Sequence, residues 1–289
     1  MNDLKITDVR AVMGDSAFLI DNGETAIMYD SGFGFTAEAV CSKIASELGD
    51  RELNYIFLTH SHYDHALGSV LAKKKWPDAK VVAGEYAAKI FSKPSAKDVM
   101  RQMEAKARKN YGASGSEDLI DALSVDIAVK DGEKIQVGKE EYEAIHLPGH
   151  TRCSFGFYNK NRSLLLGSET LGVYDGEGEV VPAYLIGYRT ALNSIEKIKN
   201  YKIDNILVPH YGLLSKKETV QYLERSRYCT VEFAQSARAI YEKGGKTEDV
   251  IEFFKEKYYN EKIKSTYPPD AMELNTRIMA ELIKKEFEI

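Results

Sequence analysis

Residues 55–65 read YIFLTHSHYDH. The opening YIFLT (55–59) has the aromatic and β-branched content of a buried strand. Four ligand-type side chains, His60, His62, Asp64 and His65, follow within six residues. In extended chain residues two apart point the same way, so His60 and His62 can present both imidazoles to one point. If the chain turns into a helix at 66, Asp64 and His65 stand at its start, where free backbone N–H groups favour a carboxylate, and can face a second point close by. Imidazoles with one carboxylate are the ligand set of a hydrolytic transition-metal site, zinc above all, with iron and manganese as alternatives. The competing reading is a polar turn whose histidines face solvent. It would win for a single histidine, but four ligand-type residues in six at a strand end set it aside.

Upstream, VRAVM (9–13) and AFLI (17–20) read as strands, and the turn Asp21-Asn22-Gly23 leads into TAIMYD (25–30) as a hairpin. Ala39, Val40, Ile44 and Leu48 fall at helical spacing over 36–48. Downstream come a helix over 66–75 and the strand KVVAG (80–84); such alternation implies a sheet with helices packed on it. The polar stretch 92–123, with Val99, Met103 and Ala107 recurring every four residues, reads as a helical insertion. A second β-rich section follows in KIQVG (134–138), YEAIHL (142–147), SFGFY (154–158) and SLLLG (163–167). The remainder, 189–289, is helical in pattern except for NILVP (205–209). No repeat, low-complexity run or linker interrupts it, so the pattern suggests one domain built in two β-rich halves.

The chain has 289 residues, room for one large domain or two modest ones. Its 39 basic and 44 acidic side chains leave a formal charge of −5, which gives no support for a nucleic-acid partner. The start, MNDLKITDVR, lacks the features of a secretory signal, and no apolar run approaches the ~20 residues of a membrane span. A cytoplasmic protein with no membrane partner is expected. Cys41, Cys153 and Cys229 are an odd number at long spacings, so no disulfide framework is indicated.

THSHYDH (59–65) looks like the HxHxDH signature of the metallo-β-lactamase fold, an αββα superfamily of dinuclear metallohydrolases. Other stretches resemble that family's landmarks in its order. Asp30-Ser31-Gly32 matches the DxG turn, and His146-Leu147-Pro148-Gly149-His150-Thr151 resembles HxPGHT. Gly167-Ser168-Glu169-Thr170-Leu171 stands where the family has GD(T/S)L, and Pro209-His210-Tyr211-Gly212 matches a PGHG-like turn. The resemblance implies an α/β (α+β) fold, a four-layer αββα sandwich. Residues 1–215 would be the catalytic domain with the insertion at about 92–123, and 216–289 a helical C-terminal extension packed on it. Insertion and tail would cap the metal mouth, as such additions do in lactonase-like and thioesterase-like members; the alternative is a homodimer interface or a cover for the sheet.

Carried over residue by residue, the resemblance gives His60, His62 and His150 to one metal and Asp64, His65 and His210 to the other, with Glu169 as the bridging carboxylate. The cofactors implied are two divalent ions, zinc first, with iron or manganese as alternatives. The family has Asp where this chain has Glu169, one methylene longer. Glu169 therefore bridges from a shifted backbone, or reaches one metal only, or the second site is weak. Ser168 would be a far poorer ligand. His146 either orients a neighbouring ligand or is a half-buried histidine at a strand end. Cys153 reads as a small buried residue beside the site rather than a thiolate ligand.

The ligand set implies a hydrolase in which a metal-bound hydroxide attacks a carbonyl or phosphoryl centre, with Asp64 both ligating and orienting it. A small ester, thioester or lactone fits a capped pocket of the glyoxalase II or lactonase kind. Tyr63, Tyr174, Tyr184, Tyr188 and Tyr211 are candidate donors to an oxyanion, though packing is the better reading of each. The substrate-binding residues are not legible. A mono- or di-iron oxidoreductase on the same fold is the alternative, kept open in its sulfur-dioxygenase form by Glu169. The flavodiiron form would need Glu at His62 and a flavodoxin-like domain. A ligand-sensing, non-catalytic member is the third reading, opposed by the intact ligand set. A nuclease does not fit the acidic charge, and β-lactamase activity belongs mostly to secreted proteins.

Overall fold

The computed structural model describes residues 4–115 and 117–289; residue 116, inside the expected insertion, and residues 1–3, at the start of the N-terminal stretch, lie outside them. The chain forms two units, Met1–His146 with Phe155–Arg162, and Leu147–Ser154 with Ser163–Ile289.

In the first unit the strands are β1 (Lys5–Asp8), β2 (Phe18–Asp21) and β3 (Ala26–Tyr29), followed by helix α1 (Ala37–Leu48) and β4 (Tyr55–Phe57). Then come α2 (Tyr63–Ala66), α3 (Gly68–Lys75), β5 (Lys80–Gly84), α4 (Glu85–Phe91), α5 (Pro94–Asn110), β6 (Ile127–Val129), β7 (Lys134–Val137), β8 (Glu140–His146) and β9 (Phe155–Asn159). The turn between β2 and β3 is the expected one: Asn22 Oδ1 accepts the N–H groups of Glu24 and Thr25, and Gly23 takes the left-handed φ of 84°. β1 to β6 form one sheet in sequence order, antiparallel through β3 and parallel from β3 to β6. Every residue of β2 and β3 is buried, as both faces of that sheet are covered. β7, β8 and β9 form an antiparallel meander. Phe57 of β4 meets Phe157 of β9 and Tyr142 of β8 at ring-centroid distances of 4.6 and 5.5 Å.

One expectation for this unit needs correction. Residues 9–13 are not a strand; the first strand ends at Asp8. The buried carboxylate of Asp15 accepts the N–H groups of Ala11 and Val12, which folds 9–15 into a loop. The expected helical insertion is present as α5, which stops at Asn110 with Gly112 at φ 64° beyond it, and a 3-10 turn follows at Ile120–Ala122. Its inward face is Met100, Glu104 and Ala107, whereas Val99 is exposed. That face includes Glu104, a charged residue in a core position, which the apolar spacing of Val99, Met103 and Ala107 does not mark.

The second unit contains β10 (Leu164–Leu166), β11 (Val173–Tyr174), β12 (Val180–Val181), α6 (Tyr188–Ile198), β13 (Asn205–Val208) and β14 (Gly212–Leu213). Helices α7 (Lys216–Glu242), α8 (Thr247–Tyr258), α9 (Glu261–Thr266) and α10 (Pro269–Phe287) complete it. β13 pairs parallel with β10 and antiparallel with β14, while β11 and β12 are a separate hairpin too short to show a pattern in sequence. α7 begins with a capping box in which Ser215 accepts from the Glu218 N–H and Glu218 accepts from the Ser215 N–H. Its inward stripe, Tyr222, Ser226, Cys229, Phe233, Ala237 and Tyr241, steps by three or four and packs on α6, α8 and α10. Full burial of a ring such as Phe233 contributes about 1.5–3 kcal/mol.

Candidate metal centre

The first unit carries four of the expected ligands on the segment leaving β4. His62 is extended at φ −71° and ψ 150° and serves as the cap of α2, so the helix begins at Tyr63, three residues earlier than the sequence suggests. The imidazole of His60 lies 4.5 Å from that of His62 and 4.1 Å from that of His65, centroid to centroid. Asp64 Oδ2 stands 3.7 Å from His65 Nε2.

Asp30 orders this cluster. It is fully buried at a left-handed φ of 50°, an uncommon conformation outside glycine that often marks a functional position. Its carboxylate accepts from Thr59 N–H at 2.8 Å, Ser16 Oγ at 2.9 Å and His65 Nδ1 at 2.7 Å. A carboxylate only accepts, so His65 carries its proton on Nδ1 and keeps the Nε2 lone pair for a metal. The Thr59 hydroxyl donates to Asp30, and its oxygen stands 3.0 Å from His60 Nδ1, which fixes that ring in the same sense. The backbone of His65 is held as well: its carbonyl accepts from both the N–H and the hydroxyl of Ser31. The helix approaches this turn so closely that a Cβ on Gly68 would lie 1.8 Å from the Ser31 carbonyl oxygen.

The second unit brings together the other three. Gly149, at φ 154°, lets the 147–151 loop pass where a Cβ would lie 2.6 Å from Thr170 and 2.8 Å from the Ala191 backbone. Thr170 fastens the loop by donating its hydroxyl to the Leu147 carbonyl and accepting the His150 N–H. His150 Nδ1 lies 2.6 Å from the Ala183 carbonyl, an acceptor only, so Nε2 is again the outward lone pair. His210 sits in the tight turn between β13 and β14 with a left-handed φ of 61°. Glu169, at the start of a short 3-10 turn, places Oε2 2.9 Å from His150 Nε2 and Oε1 3.3 Å from His210 Nε2. One carboxylate thus presents an oxygen to each of two imidazoles. Neutral imidazoles with fixed tautomers and carboxylate oxygens are the donors that zinc, iron and manganese take.

The structure also places His146, Cys153 and the candidate tyrosines. His146 ends β8 half-buried, with its ring 5.0 Å from Phe155 and its N–H donated to Asp131. Cys153 is buried, with its sulfur 3.2 Å from the Thr151 hydroxyl. Each candidate tyrosine has an aromatic neighbour: Tyr63 with Phe33, Tyr174 with Tyr211, and Tyr184 with Tyr188. Burial pushes the Tyr184 phenol well above its ordinary range. Sequence reasoning missed Asp30 as a partner of His65, although the Asp-Ser-Gly turn was visible, and missed the Ala183 carbonyl, for which no sequence signal exists.

The metallo-beta-lactamase superfamily model matches residues 11–210. The chain belongs to the metallo-beta-lactamase superfamily, and it is an enzyme of the superfamily's metal-dependent hydrolase class. A probable hydroxyacylglutathione hydrolase of Encephalitozoon cuniculi is 25% identical over 219 residues, 73% of this chain and 69% of that protein. A hydroxyacylglutathione hydrolase of Legionella pneumophila is 23% identical, over 60% of this chain and 58% of its own length. Among solved structures, a metallo-beta-lactamase family protein of Thermus thermophilus matches with a TM-score of 0.66 at 15% identity, covering 99% of this chain and 95% of that one. A metallo-beta-lactamase superfamily protein of Sulfolobus tokodaii matches at 0.55 and 21% identity, over 74% and 80%. These likenesses show the fold, the αββα sandwich with a helical C-terminal extension. Among the described residues no helix is long and apolar enough to cross a membrane.

Proposed function

We propose that this chain is a dinuclear metallohydrolase that cleaves a small thioester, with esters and lactones as neighbouring substrate classes. The observation that carries it is Glu169, with one carboxylate oxygen at His150 Nε2 and the other at His210 Nε2. In this reading His60, His62 and His150 hold one ion, Asp64, His65 and His210 the other, and Glu169 joins them. The longer Glu side chain would serve where the superfamily has Asp. Two ions held there would supply an ionised water at neutral pH and polarise the substrate's carbonyl oxygen. Zinc suits the histidine-rich set, and iron or manganese would be accepted by the same donors.

The protein's own contribution is orientation. Asp30 and the Ala183 carbonyl hold the protons of His65 and His150 on Nδ1, so that each Nε2 is available without rearrangement. Asp64 is the catalytic carboxylate, accepting a hydrogen bond from the attacking water and so setting its direction. Residues 1–215 are the catalytic domain and 216–289 its helical extension. Cys41 and Cys229 are buried thiols outside any disulfide, which suits a reducing cytoplasm. Thioesters are put first because relatives named hydroxyacylglutathione hydrolase match the chain. A panel of S-(2-hydroxyacyl)glutathione, chromogenic esters, lactones and phosphodiesters with added zinc, iron or manganese tests this. Thioester cleavage that stops on chelation is expected. Oxygen uptake with a persulfide and no hydrolysis of any panel member would overturn it.

A further inference from the structure

A second feature of the first unit bears on which acyl group the site takes. Four aromatic rings from three chain segments meet there. Phe33 and Phe35 follow the Asp30-Ser31-Gly32 turn and stack at 4.8 Å; Tyr63 lies inside the histidine motif, 5.6 Å from Phe33; Tyr111 is the C-cap of α5, 5.8 Å from Phe33 and 6.0 Å from Phe35. Phe33 is the buried floor, while Phe35, Tyr63 and Tyr111 are half-exposed. Tyr63 and Asp64 are consecutive residues of α2, and the Asp64 charge acts on both Tyr111 and Glu104, so these rings lie near the proposed catalytic carboxylate.

Glu104 locks the arrangement from the insertion helix. It is 8% exposed, and its Oε1 accepts the Phe35 N–H at 2.8 Å, in a notch that exists because residue 34 is glycine: a Cβ there would lie 2.9 Å from that oxygen. Its other oxygen is buried with no hydrogen-bond partner among the described residues. A charged side chain in the core face of a helix costs stability unless it fixes something else; what it fixes here is the Phe33–Phe35 loop. The charges that act here are the carboxylates of Asp64 and Asp15, with Glu104 itself, against the guanidinium of Arg108, so negative groups outnumber positive ones and an acyl group with its own negative charge meets net repulsion.

We propose that Phe35, Tyr63 and Tyr111, positioned by Glu104, form an aromatic wall beside Asp64 that selects uncharged, apolar acyl groups. The proposal rests on the hydrolase reading and deepens it. Phe35 and Tyr111 are specificity residues, and Glu104 is a positioning residue. The wall adds contact area for each methylene of the acyl chain and none for an acetyl group too short to reach it.

The test uses the full metal-loaded chain and N-acetylcysteamine thioesters from acetyl to hexanoyl, with phenylacetyl and the anionic glutaryl thioester. For the wild type, kcat/KM should rise about fourfold per methylene, the factor that burying one methylene corresponds to, and glutaryl should fall below butyryl. Tyr111→Ala and Phe35→Ala should flatten that gradient through KM, with the acetyl thioester least affected. Glu104→Ala should flatten it as well, whereas Glu104→Gln, which keeps an acceptor for the Phe35 N–H, should restore it. Calorimetric binding of hexanoate against acetate gives a readout independent of turnover. Preference for hexanoate that Tyr111→Ala abolishes, with no thioester cleaved, would keep the wall and remove the hydrolase reading. Cleavage with no acyl gradient would overturn the wall and leave that reading intact. Absence of both overturns both.

Discussion

Asp30→Asn isolates the device that presents His65 to a metal. Asparagine keeps the size of the side chain and tolerates the left-handed φ of 50°, so the turn itself is preserved. Oδ1 can still accept from the Thr59 N–H and hydroxyl, at 2.8 and 3.0 Å in the parent. The amide nitrogen then takes the place of Oδ2, which received Ser16 Oγ at 2.9 Å and His65 Nδ1 at 2.7 Å. The Ser16 hydroxyl can rotate to accept. His65 cannot aim an N–H at another N–H, so its proton moves to Nε2 and the metal-facing lone pair is lost. Losing such an orienting partner lowers metal affinity about 10–100-fold, or about 1.4–2.8 kcal/mol at a factor of ten per 1.4 kcal/mol. Loss of a charge-assisted hydrogen bond in the fully buried cluster adds about 1.5–3 kcal/mol of destabilisation. Competition with a chromogenic chelator reads the first effect and a thermal scan of the chelated protein the second. Affinity within twofold of the parent for both ions, with an unchanged Tm, would refute the argument that Asp30 sets the His65 tautomer.

Glu104 should make stability depend on pH. Burial, the largest cause, raises its carboxyl to about 7, with Asp64 and Asp15 adding to the rise and the Phe35 N–H opposing it. Because the folded value lies above the unfolded one, the contribution is full below the ordinary carboxylate range and is lost as pH rises through about 7. Thermal scans of chelated protein from pH 5 to 8.5 should show Tm falling toward alkaline pH, with a smaller fall for Glu104→Gln; identical profiles would contradict the assignment. Gly68→Ala should lower stability by about 3 kcal/mol, the upper part of the usual range for overpacking, because its Cβ meets a backbone oxygen rather than a flexible side chain. A denaturant midpoint and slope equal to the parent's would show that α3 can withdraw from Ser31 without penalty.

The segment 59–65 was legible because a strand end and four ligand-type side chains at short spacing leave few other physical meanings. The hairpin at Asn22-Gly23 was legible for the same local reason. What the sequence concealed is long-range. Asp30 and His65 are 35 residues apart, and their contact exists only because α2 folds back over the turn. The Ala183 carbonyl that orients His150 is a backbone atom with no residue identity to read. Residues 9–13 satisfied the composition of a strand, yet Asp15 offered their N–H groups a local acceptor in place of a neighbouring strand. On α5 the apolar repeat runs Val99, Met103 and Ala107, while the buried residues are Met100, Glu104 and Ala107, and Glu104 is buried for a reason outside the helix, its bond to the Phe35 N–H. Glu169 stood out as a departure from the family's Asp, and in the structure its two oxygens stand close to separate imidazoles.

The most direct test of the account is the metal content of the purified chain, measured by inductively coupled plasma mass spectrometry beside thioester hydrolysis in the same preparation, for the parent and His62→Ala. The account predicts about two divalent ions per chain in the parent. It also predicts loss of most metal and most hydrolysis in His62→Ala with an unchanged circular dichroism spectrum. A parent that holds no zinc, iron or manganese after gentle purification, or a His62→Ala variant with full hydrolysis, would contradict it.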